Sequence, residues 1–144
     1  MTLHYQLMRT HTALGRRIFA RAQKELGLSS GQPKVLDALL QNEGSDQKTL
    51  ARLCEIEQAT LGNIIMRMEE NGLVERRQKA GNRRSFYVYL TEHGKTVAEQ
   101  MKIIFDEEDV NALQLLSEKE QQLAEELLDK IWQGINNISG GDKA

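Results

Sequence analysis

Apolar residues recur every three or four positions through most of the chain, a spacing that predicts a mainly α-helical protein. The longest such stretch is residues 3–26, where Leu7, Leu14 and Ile18 fall on one stripe. A second predicted helix ends near Asn42, and further helices begin after Asp46, at Gln58, after Thr91 and after Ser117. Between Gly72 and Thr91 the spacing changes to two, which predicts β-strands.

Residues that favour helix ends stand at the limits of these stretches. Gly27 follows the first helix, where a glycine can take the left-handed conformation that closes a helix. Ser29 or Ser30 is the predicted cap of the second helix, with Pro33 in the first turn, where a missing N–H costs little. The later caps are Asp46, Thr91 and Ser117, of which Ser117 forms a capping box with Glu120.

The alternating stretch predicts a hairpin directly behind two short helices. Its strands are Leu73 to Lys79 and Ser85 to Leu90, and residues 80–84 form the loop, which places Arg83 and Arg84 at the tip. Two short helices meeting at the turn around Ile56 and followed by a basic hairpin are typical of a winged helix-turn-helix module that reads DNA. The predicted fold is therefore mostly α with a small β-hairpin.

The predicted organisation is a single domain over residues 1–144. Residues 30–91 form the winged helix-turn-helix lobe, and residues 1–29 and 92–140 form a helical dimerisation region. The end helices carry more apolar surface than a small lobe can cover, which favours packing against a second copy of the chain. A longer monomeric bundle is the alternative, and residues 140–144 are expected to fray.

The composition excludes several classes of function. One cysteine cannot form an internal disulfide, which together with the lack of a signal peptide or a long apolar run predicts a cytoplasmic protein without a membrane segment. No Gly-rich phosphate loop, Cys/His metal spacing or nucleophile beside a base is present, so we expect no enzyme activity and no cofactor. His4 and His11 lie two helical turns apart, too far to bind one metal ion together.

Charge is distributed unevenly along the chain. The net charge is −2, but residues 1–91 carry 14 Lys and Arg against 9 Asp and Glu, whereas residues 92–144 carry 5 against 12. Phosphate binding depends on where positive charge lies rather than on the total. The basic half contains the predicted lobe, which agrees with a DNA partner. A simpler reading, in which the acidic helices are only solvated, is compatible with this distribution.

The second helix of the motif offers short and amide side chains away from its apolar stripe. Asn and Gln can pair with adenine in the major groove, and a glycine lets the backbone approach the groove edge. The predicted DNA contacts on this helix are Gln58, Ala59, Thr60, Gly62, Asn63 and Arg67, and those on the hairpin are Arg76, Arg77, Lys79, Arg83 and Arg84. An ordinary solvated helix face is the alternative, and Thr60 can also bond back into its own helix.

Several of these strings resemble the MarR family of winged-helix transcriptional regulators. They are Leu50-Ala51, Thr60-Leu61, the run from Glu69 to Arg76, and the run from Asn82-Arg83-Arg84 through Leu90-Thr91-Glu92-His93-Gly94. The resemblance implies a triangular homodimer whose two lobes straddle a pseudo-palindromic operator. It also implies repression that a small, often aromatic, ligand or cysteine oxidation relieves. In the wing it implies minor-groove contact by Arg84, and less directly by Arg83.

The resemblance also implies a ligand pocket between the lobe and the first helix, with Tyr5, Met8 and His11 as lining residues. The chain departs from the family pattern at Asn82, where an aspartate usually tethers the wing, and at Glu55, where glycine is common. We therefore expect a differently wound turn at Glu55 unless that residue takes a positive φ. Cys54 lies on an apolar face, which favours core packing over redox sensing.

The sequence thus predicts a DNA-binding transcriptional regulator. Its predicted partners are double-stranded DNA, a second copy of the chain and a small-molecule effector. The alternative is a winged helix that binds another protein without specific DNA recognition. The cations of the hairpin favour the first reading, because a protein-binding wing has no need of five basic residues together.

Overall fold

A computed structural model describes residues 1–79 and 81–141, without the side chains of residues 79, 82–84 and 139–141. The elements in chain order are α1 (Leu3–Leu26), α2 (Gln32–Gln41), β1 (Ser45–Asp46), α3 (Gln47–Cys54), α4 (Gln58–Glu70), β2 (Val74–Lys79), β3 (Asn82–Leu90), α5 (Glu92–Ala112) and α6 (Glu118–Gly141). The predicted fold class, mostly helical with a small sheet, is confirmed.

The junction between α1 and α2 departs from the prediction at one point. Gly27 closes α1 as expected, with φ 66° and its N–H donating to the carbonyl of Gln23. The predicted serine cap of α2 is wrong, because the cap residue is Gly31 at φ 84° and no side chain bonds the helix end. Gln32 instead accepts a hydrogen bond from the backbone N–H of Ser29 at 3.1 Å.

The helix-turn-helix is formed by α3, α4 and the turn between them. Asp46 caps α3 as predicted, its carboxylate accepting from the N–H of Thr49 at 2.7 Å. Glu55 follows α3 in the left-handed conformation, at φ 53° and ψ 47°. Glu55 therefore takes the positive φ named as the alternative, and the turn is wound as it would be with the glycine that usually supplies this conformation. Ile56 is half-buried against the core at this corner.

The sheet has three antiparallel strands in the order β1-β3-β2. β1 was not predicted, because two residues are too short to show a period, and it pairs Ser45 with Val88. The predicted loop over residues 80–84 is too long, since Asn82–Leu90 belongs to β3 and Lys79 pairs with Asn82. The next pair is Gln78 with Phe86, so the register shifts near the tip of the hairpin.

A close backbone contact joins the hairpin to the start of α5. Thr91 donates from its hydroxyl to the carbonyl of Gly72 and accepts from the N–H of Gly94 at 2.9 Å, which confirms it as the cap. A Cβ atom built on Gly94 would lie 1.8 Å from the carbonyl oxygen of Leu73. Only a glycine allows this approach, so the backbone packing explains the glycine of the Leu-Thr-x-x-Gly string.

One apolar core lies between α2, α3, α4, the sheet and α5. Its fully buried members include Val35, Leu36, Leu39, Leu50, Leu61, Ile65, Met68, Val88, Ala98 and Met101. Among the side chains that the structure describes, two polar ones are also buried, Gln32 and Glu108. Glu108 is bonded by Arg17 at 3.0 and 3.3 Å, so an ion pair links α1 to α5. A buried carboxylate requires such a partner.

The chain divides into two compact units, Met1–Glu108 and Asp109–Ala144. In the second unit, the predicted capping box of α6 is confirmed by reciprocal bonds between Ser117 and Glu120 at 3.0 and 3.2 Å. α6 extends to Gly141, and residues 142–144 lie outside the described part. The expected fraying of residues 140–144 stays a prediction. None of the described helices is long and apolar enough to cross a membrane.

Candidate nucleic-acid interface

α4 presents a polar face opposite its buried stripe. Leu61, Ile65 and Met68 are buried, which turns the other side of the helix outward. The exposed positions of that side include the predicted contacts Gln58, Ala59, Thr60, Asn63 and Arg67, together with Met66 and Glu70. A single exposed stripe with amide, hydroxyl and small side chains has the chemistry that a major-groove helix needs.

Gly62 lies between this stripe and the neighbouring helix. A Cβ atom built on Gly62 would be 3.8 Å from Nε2 of Gln47 in α3, an ordinary van der Waals contact. The fold itself therefore does not require a glycine at this position. The predicted close approach of the Gly62 backbone to DNA stays a prediction.

A cavity of about 190 Å³ opens along one flank of α4. It is lined by Ser29, Ser30, Gln32, Thr60, Asn63, Ile64 and Arg67. Three of the predicted DNA contacts thus meet the turn between α1 and α2. The sequence did not predict that this turn lies beside α4, because the Ser-Ser-Gly-Gln-Pro string gives a helix-start signal and nothing in its spacing points to α4.

The described arginines of the wing are engaged within the protein. Arg76 donates to Glu69 at 3.0 Å and its guanidinium carbon lies 5.1 Å from the centre of the Phe86 ring. Arg77 bonds the carboxylate of Glu75 and lies 4.1 Å above Tyr89.

Arg76 and Arg77 are consecutive in a strand and point to opposite faces of the sheet. They therefore do not form one continuous basic surface. Their predicted phosphate contacts remain a prediction.

The other predicted wing contacts lie outside the described side chains. Lys79 ends β2, and Arg83 and Arg84 belong to β3, in the part where the register shifts. Asn82, where the family resemblance expects an aspartate, pairs through its backbone with Lys79. The predicted minor-groove role of Arg83 and Arg84 stays a prediction.

A second cavity, of about 500 Å³, lies between α1, α2, α3 and α5. Its lining consists of His11, Lys34, Asp37, Ala38, Gln41, Asn42, Leu53, Cys54, Glu55 and Phe105. Of the predicted ligand residues, His11 contributes to this lining. Tyr5 and Met8 do not, and they stand 45% and 55% exposed elsewhere on α1.

Cys54 has the environment of a core residue rather than of a reactive thiol. It is 6% exposed, and its Sγ lies 3.6 Å from the carbonyl oxygen of Lys34. Burial raises the pKa of the thiol to about 11, which keeps it protonated near neutral pH. The preference for core packing over a redox role agrees with this geometry. Among the described residues, no group of His, Cys, Asp and Glu is arranged to hold a metal ion.

Comparison with known proteins gives relatives of the same length and architecture. The model of the MarR family matches residues 28–86. The transcriptional regulator HosA of Escherichia coli O127:H6 is 35% identical over 127 residues, which are 88% of this chain and 89% of HosA. A MarR family transcriptional regulator from Listeria monocytogenes, solved with a 26mer DNA, has a TM-score of 0.88 at 23% identity, covering 95% of this chain and 91% of the other.

A further solved relative is the PcaV transcriptional regulator from Streptomyces coelicolor in complex with its natural ligand. It has a TM-score of 0.74 at 21% identity and covers 91% of this chain and 89% of PcaV. At these identities the two solved structures establish the shared fold. HosA establishes the relationship, because the similarity extends over nearly the whole of both chains. The chain therefore belongs to the MarR family of transcriptional regulators.

Proposed function

We propose that the protein is a cytoplasmic, homodimeric repressor that binds a pseudo-palindromic DNA site and releases it when a small molecule binds, with no enzyme activity of its own. The single observation that carries the DNA-binding part is the exposed polar face of α4, held by a buried apolar stripe and a capped α3. The relative from Listeria monocytogenes, solved with DNA, supports the same use of the fold.

Direct reading of bases falls to the start of α4. Gln58 and Ala59 are exposed in its first turn, where a helix entering the major groove reaches base edges. An amide can bond adenine at two atoms, and a methyl group can contact thymine. Gly62 allows a close backbone approach one turn later. The proposed readout therefore favours A·T pairs near the centre of each half-site.

Dimerisation follows from the apolar side chains of α6. Leu127, Trp132 and Ile135 are 47%, 57% and 55% exposed, and Leu123, Leu128 and Ile138 are 51%, 54% and 76% exposed. An apolar helix face of this extent is covered in a stable soluble protein, and a second copy of the chain supplies an equal surface. A two-fold dimer places two α4 helices about one turn of DNA apart.

The proposed effector site is the 500 Å³ cavity beside His11. Its size falls in the range of small-molecule sites. Leu53 and Phe105 offer apolar surface. Lys34 and His11 offer donors and the carboxylates of Asp37 and Glu55 offer acceptors, which suits a molecule with an apolar body and polar groups. PcaV, solved with its natural ligand, supports the proposal that the fold responds to a small molecule. Such a ligand acts by binding one lobe arrangement better than the other.

The competing proposal is a winged helix that binds a protein partner. The ion pairs of Arg76 and Arg77 are the observation that favours it, because they remove two cations from the surface available to phosphates. The two proposals differ in salt dependence. The affinity for DNA falls steeply as salt is added, because binding releases counterions. The affinity for a protein partner held by both polar and apolar contacts does not.

Selection of bound duplexes from a random DNA pool, followed by fluorescence anisotropy at several salt concentrations, tests the function. We expect a two-fold symmetric consensus, a steep loss of affinity with salt and a dimer mass by light scattering. A Gln58→Ala variant should lose sequence preference more than affinity, and Gln133→Ala, on α6, is its matched control. A monomer with no enriched sequence would contradict the proposal.

A further inference from the structure

The cavity beside α4 has a lining suited to an anion. It contains one cation, Arg67, and no carboxylate. The remaining polar groups are the hydroxyls of Ser29, Ser30 and Thr60 and the amides of Gln32 and Asn63. Its volume of about 190 Å³ corresponds to roughly six water molecules in the liquid. A phosphate group with part of its hydration shell fits such a space.

Two of the lining side chains have donors that the protein does not use. Within residues 1–79 and 81–141, Arg67 has no ion-pair partner, in contrast to Arg76 and Arg77. Gln32 is only 2% exposed, and its Oε1 accepts from Ser29.

The Nε2 of Gln32 bonds no described group, yet it is not enclosed by protein atoms. The side chain borders this cavity and the neighbouring one beside Leu26. The amide donor therefore opens onto the cavity, where it can donate to water or to an anion that enters.

The turn that forms the cavity wall is fixed against α4. Gly31 has φ 84°, and a Cβ atom built on it would lie 2.4 Å from Cδ1 of Ile64. The backbone of the turn therefore rests directly on the side chain of the recognition helix. Such a contact sets the position of Ser29 and Ser30 relative to Arg67 before any ligand arrives, which reduces the entropy lost on binding.

The cavity also lies on the side of α4 that faces a phosphate chain in the proposed complex with DNA. Thr60, Asn63 and Arg67 recur every three or four residues and form one flank of the helix. A helix in the major groove has base edges below it and a phosphate chain along each flank. The flank formed by these residues therefore faces one phosphate chain, and the cavity opens on that flank.

We propose that this cavity seats a phosphate of the DNA backbone, at the edge of the major groove that α4 enters. The proposal rests on the DNA-binding function above and extends it to the α1–α2 turn. Arg67 neutralises the phosphate, while the Gln32 amide and the Ser30 hydroxyl donate to its oxygens. The contact carries no sequence information and fixes the register of α4 on the duplex. Asn63 then serves phosphate positioning rather than base reading.

The first test compares charge variants on the selected duplex. Arg67→Gln, with Arg16→Gln on α1 as control, should weaken binding equally for the selected and a scrambled sequence. Because the dimer carries two copies of Arg67, it should also reduce the magnitude of the slope of log affinity against log salt by about two. Ser30→Glu, with Gln23→Glu as control, should weaken binding further by repelling the phosphate. All four sites are exposed, so unchanged thermal unfolding verifies that the variants fold.

The second test identifies the phosphate. In each duplex, the phosphate at one position of each half-site is replaced by a neutral methylphosphonate, and the position is varied from duplex to duplex. The wild type should bind less tightly when the replaced phosphate is the one seated in the cavity. The same replacement should have no further effect on Arg67→Gln, because its partner has already been removed. Equal sensitivity of the wild type and Arg67→Gln at every position would overturn the proposal.

The remaining outcomes distinguish a failure of the phosphate-seat proposal from a failure of the DNA-binding function on which it rests. A wild type that binds no duplex contradicts the DNA-binding function as well. A wild type that binds DNA with a salt slope that Arg67→Gln leaves unchanged contradicts the phosphate seat alone. In that second case, inorganic phosphate is titrated into the free protein by calorimetry. If phosphate binds and the binding requires Arg67, the cavity is a site for a free anion rather than for a DNA phosphate.

Discussion

The guanidinium of Arg76 donates to the carboxylate of Glu69 at 3.0 Å and so joins β2 to the last turn of α4. Both side chains are about one-third exposed, and an ion pair of this kind contributes about 0–1 kcal/mol to stability. A DNA phosphate can therefore compete with Glu69 for Arg76. The pair holds a cation of the wing beside the recognition helix when no DNA is bound.

Replacing Glu69 should strengthen DNA binding. Glu69→Gln removes the competing carboxylate, so Arg76 becomes available to a phosphate in each protomer. The slope of log affinity against log salt should therefore steepen by about two for the dimer. Glu70→Gln changes the charge equally without an ion pair and is the matched control. Anisotropy titrations at several salt concentrations measure both. Equal gains in the two variants would mean that Arg76 does not reach the DNA.

The cap of α3 should make a measurable, pH-dependent contribution to stability. The N–H of Thr49 donates to Asp46 and lowers the pKa of that carboxyl. Asp46→Ala should cost about 1 kcal/mol at neutral pH, whereas Asp46→Asn retains an acceptor and should cost less.

Because the folded-state pKa of Asp46 is the lower one, the contribution is complete above the unfolded-state value of about 3.9 and disappears as the pH falls through the folded value. Denaturant unfolding of the wild type and Asp46→Ala across this range measures the difference. A difference that grows toward acid pH would have the wrong sign for this cap.

The turn after α3 should be stabilised by glycine. Glu55 takes φ 53°, and a left-handed residue with a side chain costs roughly 1–2 kcal/mol. Glu55→Gly relieves this strain but adds chain entropy to the unfolded state, so a net gain of about 0.5–1 kcal/mol is expected. Glu55→Ala removes the same carboxylate and keeps the Cβ atom, so it should give no gain. Unfolding in urea distinguishes the two, and equal stability of both variants would refute backbone strain as the cause.

Cys54 should be inert toward oxidants in the folded protein. With a pKa of about 11, only about one thiol in a thousand is ionised at pH 8. A thiol reagent should react slowly until denaturant is added, and hydrogen peroxide should leave DNA affinity unchanged in both the wild type and Cys54→Ala. Loss of DNA binding on oxidation in the wild type alone would restore the redox hypothesis.

The sequence pattern was sufficient where a local rule determined the structure. Asp46, Thr91 and Ser117 each cap a helix as predicted, because a cap depends on a few consecutive residues. The glycine cap of α2 was not predicted. Gly31 must make room for the side chain of Ile64, and a contact between residues far apart in the chain leaves no local pattern.

Two other differences have the same origin. The partners of Arg76 and Arg77 depend on the position of α4 and on the strand register, neither of which the charge pattern contains. The cavity of Ser29 and Arg67 depends on the packing of α2 against α4. Periodicity therefore identified the exposed face of α4, while the long-range contacts decided which nearby cations are paired within the protein.

Gly94 and Glu108 give α5 a mechanical role. Near its start the helix touches the hairpin backbone at Leu73, and fourteen residues later it is bonded to Arg17 of α1. A helix of that length spans roughly 21 Å and behaves as a stiff rod. Ala98 and Met101 lie between these two contacts and are buried in the core, so one rigid element ties α1, the core and the root of the wing together.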